Sequence, residues 1–358
     1  MKARPAFYAG LVALVAATAH AEPLDPALER LVVDSSCHDA SGRWTPGAAG
    51  YCTPNNASFK KLVNQLGFAM APNAFYAART TGYGGFEVAI EASYTKISSD
   101  AEYWRLGTQG KSDPNTRRAA TENGSVPGLL SLYSIKLRKG FGFGLELGGQ
   151  VGFMPGSSLL SGGADVRFAI LEGFRRGTLA MFPDVSVGAG VRTITGSSDL
   201  QLTVAGLDGR LSKPLPLQDT LVLTPWLGYQ HLWIFGDSGL VDLTPGTNAL
   251  QSCGYAGNNT PINPDPSKSA LDGQPVCTAT GPNARGDFNN NAVFQHARLE
   301  RHRLMIGAHL RYEMLLAGAQ LATDLTAPAD AQSSTSDQNI LKDESRQWTI
   351  ALELGAAF

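Results

Sequence analysis

The chain has 358 residues, is rich in glycine (40 residues) and carries little charge, with 17% Asp, Glu, Lys or Arg and a formal net charge of −2. This near-neutral balance argues against a nucleic-acid partner. Outside the N-terminus, no stretch of the sequence reaches the roughly 18 consecutive apolar residues that mark a membrane-spanning helix, which argues against a helical membrane protein.

The first 21 residues have the layout of a secretory signal peptide. Lys2 and Arg4 precede the apolar residues 6–19, and Ala19-His20-Ala21 supplies the small residues of a cleavage site. A membrane anchor is the alternative, but the apolar stretch is short and ends in that site. We therefore expect cleavage after Ala21 and export of the mature chain from the cytoplasm.

The four cysteines form two pairs that are close in sequence, Cys37 with Cys52 and Cys253 with Cys277. An exported chain folds in an oxidising compartment, where disulfides persist. Four cysteines allow three pairings, and we favour the local one because each pair brackets a stretch rich in Gly, Pro and Asn. Zinc binding is the alternative, but no CxxC spacing supports it, and we predict neither a metal nor a cofactor.

Residues 22–81 form a polar, turn-rich N-terminal segment that contains one amphipathic helix, predicted over 58–70. Ser58 is the predicted N-cap of this helix, and Pro72 follows its end. The apolar residues recur at helical spacing. They are Phe59, Leu62, Val63, Leu66 and Met70.

From residue 82 onward, apolar residues recur at every second position, which is the pattern of half-buried β-strands. We predict ten strands, within a range of eight to twelve because Pro183 and Pro225 each can interrupt a strand. The strands are long enough to cross a bilayer at a tilt. They lie at about 82–97, 128–139, 140–153, 164–172, 179–195, 199–212, 219–236, 294–312, 314–325 and 346–358.

The breaks between these strands alternate between long and short along the chain. The longest, 99–127, 237–292 and 326–345, are all odd-numbered breaks, and only the odd break "TGSSD" is short. Outer-membrane barrels show this parity, with short turns at the periplasmic end and longer loops at the extracellular end. A soluble β-sandwich would also alternate along its strands, but this parity of the connections favours the barrel.

Charged residues occupy one face of the predicted strands, opposite a continuous apolar face. Contact with lipid would make these charges costly, so we assign them to the lumen, where we expect them to set selectivity. The alternative is that they pair across a packed interior. The predicted lumen residues are Glu87, Glu91, Lys136, Arg138, Glu146, Asp165, Arg167, Arg192, Arg303, Arg311 and Glu353.

The chain ends in a strand with an aromatic terminal residue and an apolar residue at every second position. With the signal peptide and the loop parity, this strand resembles those of Gram-negative outer-membrane β-barrel proteins, and the resemblance covers 82–358. It implies location in the outer membrane, contact with its lipid, and recognition of the last strand by the barrel-assembly machinery. The matching residues are Trp348, Ile350, Leu352, Leu354 and Phe358, whereas Ala356 is a weaker match.

The sequence therefore predicts an all-β, antiparallel, up-and-down transmembrane barrel of about ten strands, preceded by a periplasmic N-terminal segment with a short helix. We expect the helix to plug the lumen or cover its periplasmic mouth, with Lys60 and Lys61 meeting Glu87 and Glu91. A detached periplasmic segment is the alternative.

The favoured function is a porin-like channel or transporter for small solutes. The runner-up is a non-conducting structural or surface-interaction barrel that uses loop 237–292 as its contact surface. A third hypothesis, a hydrolase at the extracellular rim, would use His231, His296, Glu300 and His302. Because no nucleophile signature accompanies these residues, we predict that the protein is not an enzyme.

Overall fold

The computed structural model describes residues 21–33, 37, 52–73, 77–113, 115, 119–173, 181–217, 220–245, 254–255, 267, 272–276, 291–325 and 344–358. Ten long strands dominate the described part of the chain. They are β1 (Phe86–Lys96), β2 (Leu129–Gly140), β3 (Leu145–Phe153), β4 (Leu160–Leu171), β5 (Asp184–Thr195), β6 (Leu200–Ser212), β7 (Leu221–Ser238), β8 (Ala297–Tyr312), β9 (Leu315–Asp324) and β10 (Trp348–Ala357).

These strands form one closed antiparallel barrel. Each strand pairs with its neighbour in the chain, and β1 also pairs with β10, with Glu91 opposite Glu353. The longest connection joins β7 to β8, and these two strands pair with each other, with His231 opposite His302. The prediction of a ten-stranded up-and-down barrel is therefore confirmed, and Pro225 lies within β7 without ending it.

The two ends of the barrel differ in their connections. One end, here called the long-loop end, carries the connections 97–128, 154–159, 196–199, 239–296 and 325–347. The other, the short-turn end, carries 141–144, 172–183, 213–220 and 313–314, together with the start of β1 and the end of β10. The three longest connections share one end, as the sequence predicted. The strict alternation is not present, however, because 154–159 and 196–199 at that end are shorter than 172–183 and 213–220 at the other. The third predicted strand begins later than expected, because Gly142–Gly144 form a turn of 3-10 helix.

The smaller elements lie mostly at the long-loop end. Helix α1 spans Asn56–Met70, the short helix α2 spans Glu102–Leu106, and Leu28–Arg30 form a 3-10 turn. The described two-residue strands are Leu215–Pro216, Val241–Asp242, Gly254–Tyr255, Pro275–Val276 and Asn291–Ala292.

The N-cap of α1 differs from the prediction. The cap is Asn55, whose side-chain oxygen accepts a hydrogen bond from the backbone N–H of Ser58 over 3.0 Å. The helix therefore begins at Asn56, and the prediction of Ser58 as the cap was wrong. Ser58, three residues after the N-cap, instead contributes the backbone N–H that the N-cap side chain accepts.

Among the residues that the structure describes, no helix combines the length and the apolar character needed to cross a membrane.

The strands separate an apolar outer face from a polar inner face. Ile90 and Leu354 point outward and are 59% and 60% exposed, whereas the inward Glu87 and Arg303 are 3% and 0% exposed. This arrangement reverses that of a water-soluble barrel, in which apolar side chains fill the interior. A large apolar cluster does exist, but it lies toward the long-loop end and joins α1 to the loops there.

The N-terminal segment begins at the long-loop end of the barrel. Leu24 donates its backbone N–H to Gly156 in a long-loop-end connection, over 2.7 Å. Helix α1 begins beside Gln295 at the same end and descends into the lumen, and residues 71–73 and 77–81 continue toward the short-turn end. Most of α1 is therefore buried inside the barrel, as a lumen plug requires, and the side of the membrane on which the segment begins stays a prediction.

Candidate functional site: the occupied lumen

A chain of ion pairs crosses four neighbouring strands of the inner wall near the short-turn end. Arg138 on β2 lies between Glu87 on β1 and Glu146 on β3, with 2.9 Å between its Nη1 and Glu146 Oε1. Arg167 on β4 reaches the same Glu146 oxygen over 3.3 Å. All four side chains are nearly fully buried. Four of the predicted lumen residues thus form one alternating network, in which each charge has an opposite neighbour.

A second pair lies higher on the wall, where Lys136 on β2 meets Glu91 on β1. Glu353 on β10 sits directly opposite Glu91 in the strand register and is 1% exposed. None of the described residues is hydrogen-bonded to either carboxylate oxygen of Glu353. Glu91 and Glu353 are therefore two inward carboxylates that face each other. Glu91 contacts the Lys136 ammonium and the Asn73 amide, and Glu353 has neither kind of partner in the part of the chain that the structure describes.

The remaining predicted lumen residues are more dispersed. Arg192 on β5 approaches Asp165 on β4 over 3.5 Å and also donates to the carbonyl oxygen of Ala164 over 3.2 Å. Arg303 is fully buried in mid-barrel, whereas Arg311 is exposed at the short-turn end. The predicted set therefore lies along most of the wall rather than at one constriction.

Several further polar residues that we did not predict also point into the lumen. Arg210 pairs with Asp208 on β6 over 2.6 Å, and Arg301 on β8 pairs with Asp324 on β9. Gln230 on β7 accepts from the guanidinium of Arg303. Each lies in phase with the inward positions of its own strand, so the same two-residue alternation would have identified it.

Helix α1 fills the upper half of the lumen by close packing. An added Cβ on Gly67 would lie 2.4 Å from Cγ2 of Ile234, and one on Gly236 would lie 2.4 Å from Cγ1 of Val63. The rings of Phe59 and Phe294 are 5.0 Å apart. Glycine thus stands on both sides of the helix–wall contact, which lets the backbones approach closely.

Polar contacts also fix α1 to the wall. Arg301 donates to the side-chain oxygen of Asn64 over 2.8 Å, and the guanidinium groups of Arg301 and Arg303 lie 4.9 and 5.3 Å from the ring centre of Phe68. Gln65 donates to the hydroxyl of Tyr103 over 2.7 Å. The helix is therefore held on several sides by buried groups.

Lys60 and Lys61 do not meet Glu87 and Glu91, so that prediction was wrong. Lys60 Nζ lies 3.4 Å from the side-chain oxygen of Gln295, and Lys61 Nζ lies 3.8 Å from Glu344. Both lysines lie in the first turns of α1, and the helix enters the lumen from the long-loop end. The carboxylates near the other end are therefore out of their reach.

Below α1, the chain continues as an extended strap, defined here as residues 71–73 and 77–81. Wall side chains donate to its carbonyl oxygens: Arg303 to Pro72 over 2.8 Å, Gln230 to Pro72 over 3.2 Å, and Arg167 to Ala77 over 3.2 Å. The strap's backbone amides are bound in turn. Ala78 N–H donates to Ser212 over 2.9 Å, Thr80 N–H to Glu172 over 3.0 Å, and Thr81 N–H to Glu146 over 2.9 Å.

These contacts give the inward charges a specific role. A backbone segment inside a barrel has no strand partner, so its N–H and C=O groups need side-chain partners to avoid an unpaired buried dipole. The wall supplies acceptors to the amides and donors to the carbonyls. Much of the charge that we predicted to line a water path is therefore bonded to the chain's own backbone.

At the long-loop end, residues 22–33 and 52–55 pack with the loops into a cap. The carboxylate of Asp25 accepts from Ser158 N–H over 2.6 Å, and buried Arg30 donates to the carbonyl oxygen of Thr108 over 3.1 Å. Burial lowers the pKa of Arg30 from its ordinary value, and burial likewise raises the pKa of Glu29. Leu28 and Trp104 belong to the apolar cluster beneath.

A disulfide joins Cys37 to Cys52, with 5.8 Å between their Cα atoms. This local pairing was predicted and is confirmed. The disulfide links residue 37 to the segment that leads into the N-cap of α1. Cys253 and Cys277 lie outside the described residues, so their pairing remains a prediction.

The residues considered for a rim hydrolase gather on the outer face of β7 and β8. His231 Nε2 lies 3.4 Å from Glu300, and Tyr229 shares a hydrogen bond of 2.6 Å with Nδ1 of His302. His296 lies 3.6 Å from Asp237. Within the described ranges, no three His, Cys, Asp or Glu side chains are arranged to hold a metal ion.

A cavity of about 440 Å³ lies at the short-turn end, below the strap. Residues from the strap, β1, β2 and β8 line it. Its wall includes Arg79, Glu87, Arg138, Glu172, His309 and Arg311.

No family model matches the sequence, and a comparison with curated proteins found no match. Solved structures do match. Ail, the attachment invasion locus protein of Yersinia pestis, determined with the heparin analogue sucrose octasulfate, is 9% identical, with 77% of this chain and 99% of that chain covered and a TM-score of 0.23.

Two further structures are similar at the same level. The KdgM porin is 8% identical over 74% of this chain and 97% of its own, with a TM-score of 0.24. The translocator domain of the autotransporter NalP from Neisseria meningitidis is 8% identical over 77% and 88%, with a TM-score of 0.27. The likeness is one of fold alone.

Proposed function

We propose that this protein is an outer-membrane barrel whose lumen is closed by its own N-terminal segment, and that it presents a surface platform built from that segment and the long loops. The observation that carries the proposal is the bonding of the strap. Wall side chains bind its backbone at both ends of its described length, from Arg303 at Pro72 to Glu146 at Thr81. Such contacts stabilise an occupied lumen rather than a hydrated pore.

The membrane position follows from the outer surface. Exposed apolar side chains surround the barrel, and a surface of this kind contacts lipid. In outer-membrane barrels the longer loops are extracellular and the short turns are periplasmic. The long-loop end, with the cap and the start of α1, therefore faces the cell exterior, and the cavity below the strap faces the periplasm.

The cap has the properties of a fixed interaction surface. Its residues pack in the apolar cluster that contains Leu31, Tyr103 and Phe294. The Cys37–Cys52 disulfide crosslinks the chain between the two parts of the cap. A surface whose backbone is fixed by packing and a crosslink loses less entropy on binding a partner. We therefore place the function at this end of the molecule.

A porin-like channel or transporter for small solutes is the second candidate function. The cavity at the short-turn end favours it, because an open volume with charged side chains in its wall already occupies part of the path. In this case the strap and α1 would have to leave the lumen, and the inward charges of the barrel wall would set selectivity. We propose no catalytic role for the histidines on the outer face.

Export and assembly are part of the same proposal. Residues 1–21 would be removed after export, and the barrel-assembly machinery would recognise the last strand through Trp348, Ile350, Leu352, Leu354 and Phe358. In the structure, β10 runs from Trp348 to Ala357, and Phe358 exchanges backbone hydrogen bonds with Phe86 on β1. The last strand is thus also the one that closes the barrel.

Epitope insertion on intact cells tests the platform. A tag inserted after Glu22, in the cap, should be stained by antibody on intact cells. A matched tag in the turn between Glu313 and Met314 should be stained only after permeabilisation. Staining of the Glu22 tag only after permeabilisation would place the segment in the periplasm and reject the proposal.

A further inference from the structure

The cavity below the strap carries an excess of cationic side chains. Three guanidinium groups line it, those of Arg79, Arg138 and Arg311, against the two carboxylates of Glu87 and Glu172. Clefts lined mainly by one sign of charge concentrate ions of the other sign. The volume of about 440 Å³ is in the range of small-molecule sites.

Both carboxylates are already engaged by neighbours. Glu87 pairs with Arg138, and Glu172 accepts from the backbone N–H and the hydroxyl of Thr80 over 3.0 and 2.9 Å. Within the described residues, no carboxylate pairs with the guanidinium of Arg79 or with that of Arg311. The two arginines are therefore the cations that remain for a ligand.

The geometry of β8 adds a third group. Arg311 donates through Nε to the carbonyl oxygen of Glu313 over 2.9 Å, which orients the guanidinium and leaves its two terminal nitrogens for a ligand. His309 lies two residues away on the same inner face, and its buried Nε2 has no hydrogen-bond partner in the described part of the chain. Thr224, opposite His309 in the register with β7, also lines the cavity.

We propose that this cavity binds a small solute through an oxyanion group, phosphate or carboxylate, from the periplasmic side. Guanidinium groups bind both oxyanions with paired hydrogen bonds, and a neutral imidazole can donate one more through Nε2. Arg79 contributes from the strap and Arg311 from the wall. The site requires the strap in place, and its periplasmic side rests on the orientation proposed above.

Calorimetry on the full mature chain in nanodiscs tests this site, with inorganic phosphate and succinate as separate probes. Arg79→Gln and Arg311→Gln should each weaken binding by roughly tenfold or more, and Arg311→Lys should fall between wild type and Arg311→Gln. Arg298→Gln, which removes an arginine paired with Asp237 at the other end, should leave binding unchanged. Whichever probe binds more tightly identifies the oxyanion class.

A chemical measurement on the unmodified sequence makes the test independent of how the variants fold. Phosphate or succinate should protect Arg79 and Arg311 from phenylglyoxal, read by mass spectrometry, and should not protect Arg298. Equal modification with and without either probe would overturn the site. So would the absence of binding heat at about 10 mM of both probes, or unchanged binding in the two Gln variants.

Discussion

Arg303 of the barrel wall donates a hydrogen bond to the carbonyl oxygen of Pro72 in the strap over 2.8 Å, and both groups lie in the interior. The same guanidinium donates to Gln230 and stacks on Phe68 of α1. One side chain of the wall therefore holds the helix, the strap and a neighbouring strand together, at the place where the N-terminal segment changes from helix to extended chain.

Replacing this arginine should loosen the N-terminal segment. We expect Arg303→Met to lower the free energy of unfolding by about 2–3 kcal/mol, because Pro72 and Gln230 lose a charged donor in a buried place. Arg298→Met is the control, since Arg298 forms an exposed pair with Asp237, and it should cost less than about 1 kcal/mol. Urea titration of the protein in lipid vesicles, followed by tryptophan fluorescence, measures both. Equal losses would show that Arg303 has no special role.

The contact between Gly236 and Val63 predicts that a larger residue at 236 destabilises the protein and that a smaller residue at 63 restores its stability. Gly236→Ala should destabilise the protein by about 1–3 kcal/mol, because its Cβ would overlap the Val63 side chain. Val63→Ala in the same chain should restore much of the loss. Gly209→Ala is the matched control, since nothing lies within 4 Å of its added Cβ.

The rate of trypsin cleavage after Lys60 and Lys61 measures how far α1 leaves the lumen in these glycine variants. Cleavage should rise in Gly236→Ala and fall again in the double variant. Unchanged cleavage in all variants would argue that α1 does not pack against β7.

Glu91 and Glu353, opposite each other in the register, should respond differently to neutralisation. Glu91→Gln weakens contacts to Lys136 and Asn73, and we expect a loss of about 1–3 kcal/mol in unfolding free energy. Glu353→Gln replaces a buried carboxyl group that lies opposite a second one and has no hydrogen-bond partner among the described residues, so it should be neutral or stabilising. The two variants compared in one urea series decide the point, and a larger loss for Glu353→Gln would contradict it.

The cap should lose stability in alkali through Tyr103. Burial and the neighbouring Glu344 carboxylate raise the pKa of Tyr103 above its ordinary value of 10, so the folded cap keeps a proton that the unfolded chain releases. The contribution of this hydroxyl is complete below about pH 10 and is lost as the pH rises above it. Tyr103→Phe should flatten the fall in the urea midpoint between about pH 9 and 11, and Tyr83→Phe, at an exposed tyrosine, should not.

Much of the barrel was readable from residue order because a strand in a membrane barrel repeats its environment every two residues. Ile350, Leu352 and Leu354 point outward and Glu353 points inward, as that period requires. The alternation carries no information on what occupies the lumen. It therefore predicted inward charges without showing that the strap at Pro72 and Ala77 is what several of them bind.

The N-terminal segment was harder to place, for a physical reason. Its amphipathic helix shows an apolar stripe but not the direction from which it enters the barrel. That direction depends on long-range contacts such as Leu24 with Gly156 and Asn56 with Gln295, which join residues far apart in sequence. The N-cap was missed because Asn55 and Ser58 both suit a helix start, and only the backbone geometry distinguishes cap from donor.

Single-channel recording in planar bilayers tests the closed lumen most directly. The mature wild-type chain should give no stable current steps, whereas a variant lacking residues 22–81 should give steps of constant size. Folding of the deletion variant is checked on SDS gels, where a folded barrel that has not been heated migrates differently from the heated chain. Stable steps from the wild type, equal in size to those of the deletion variant, would contradict a lumen closed by its own N-terminal segment.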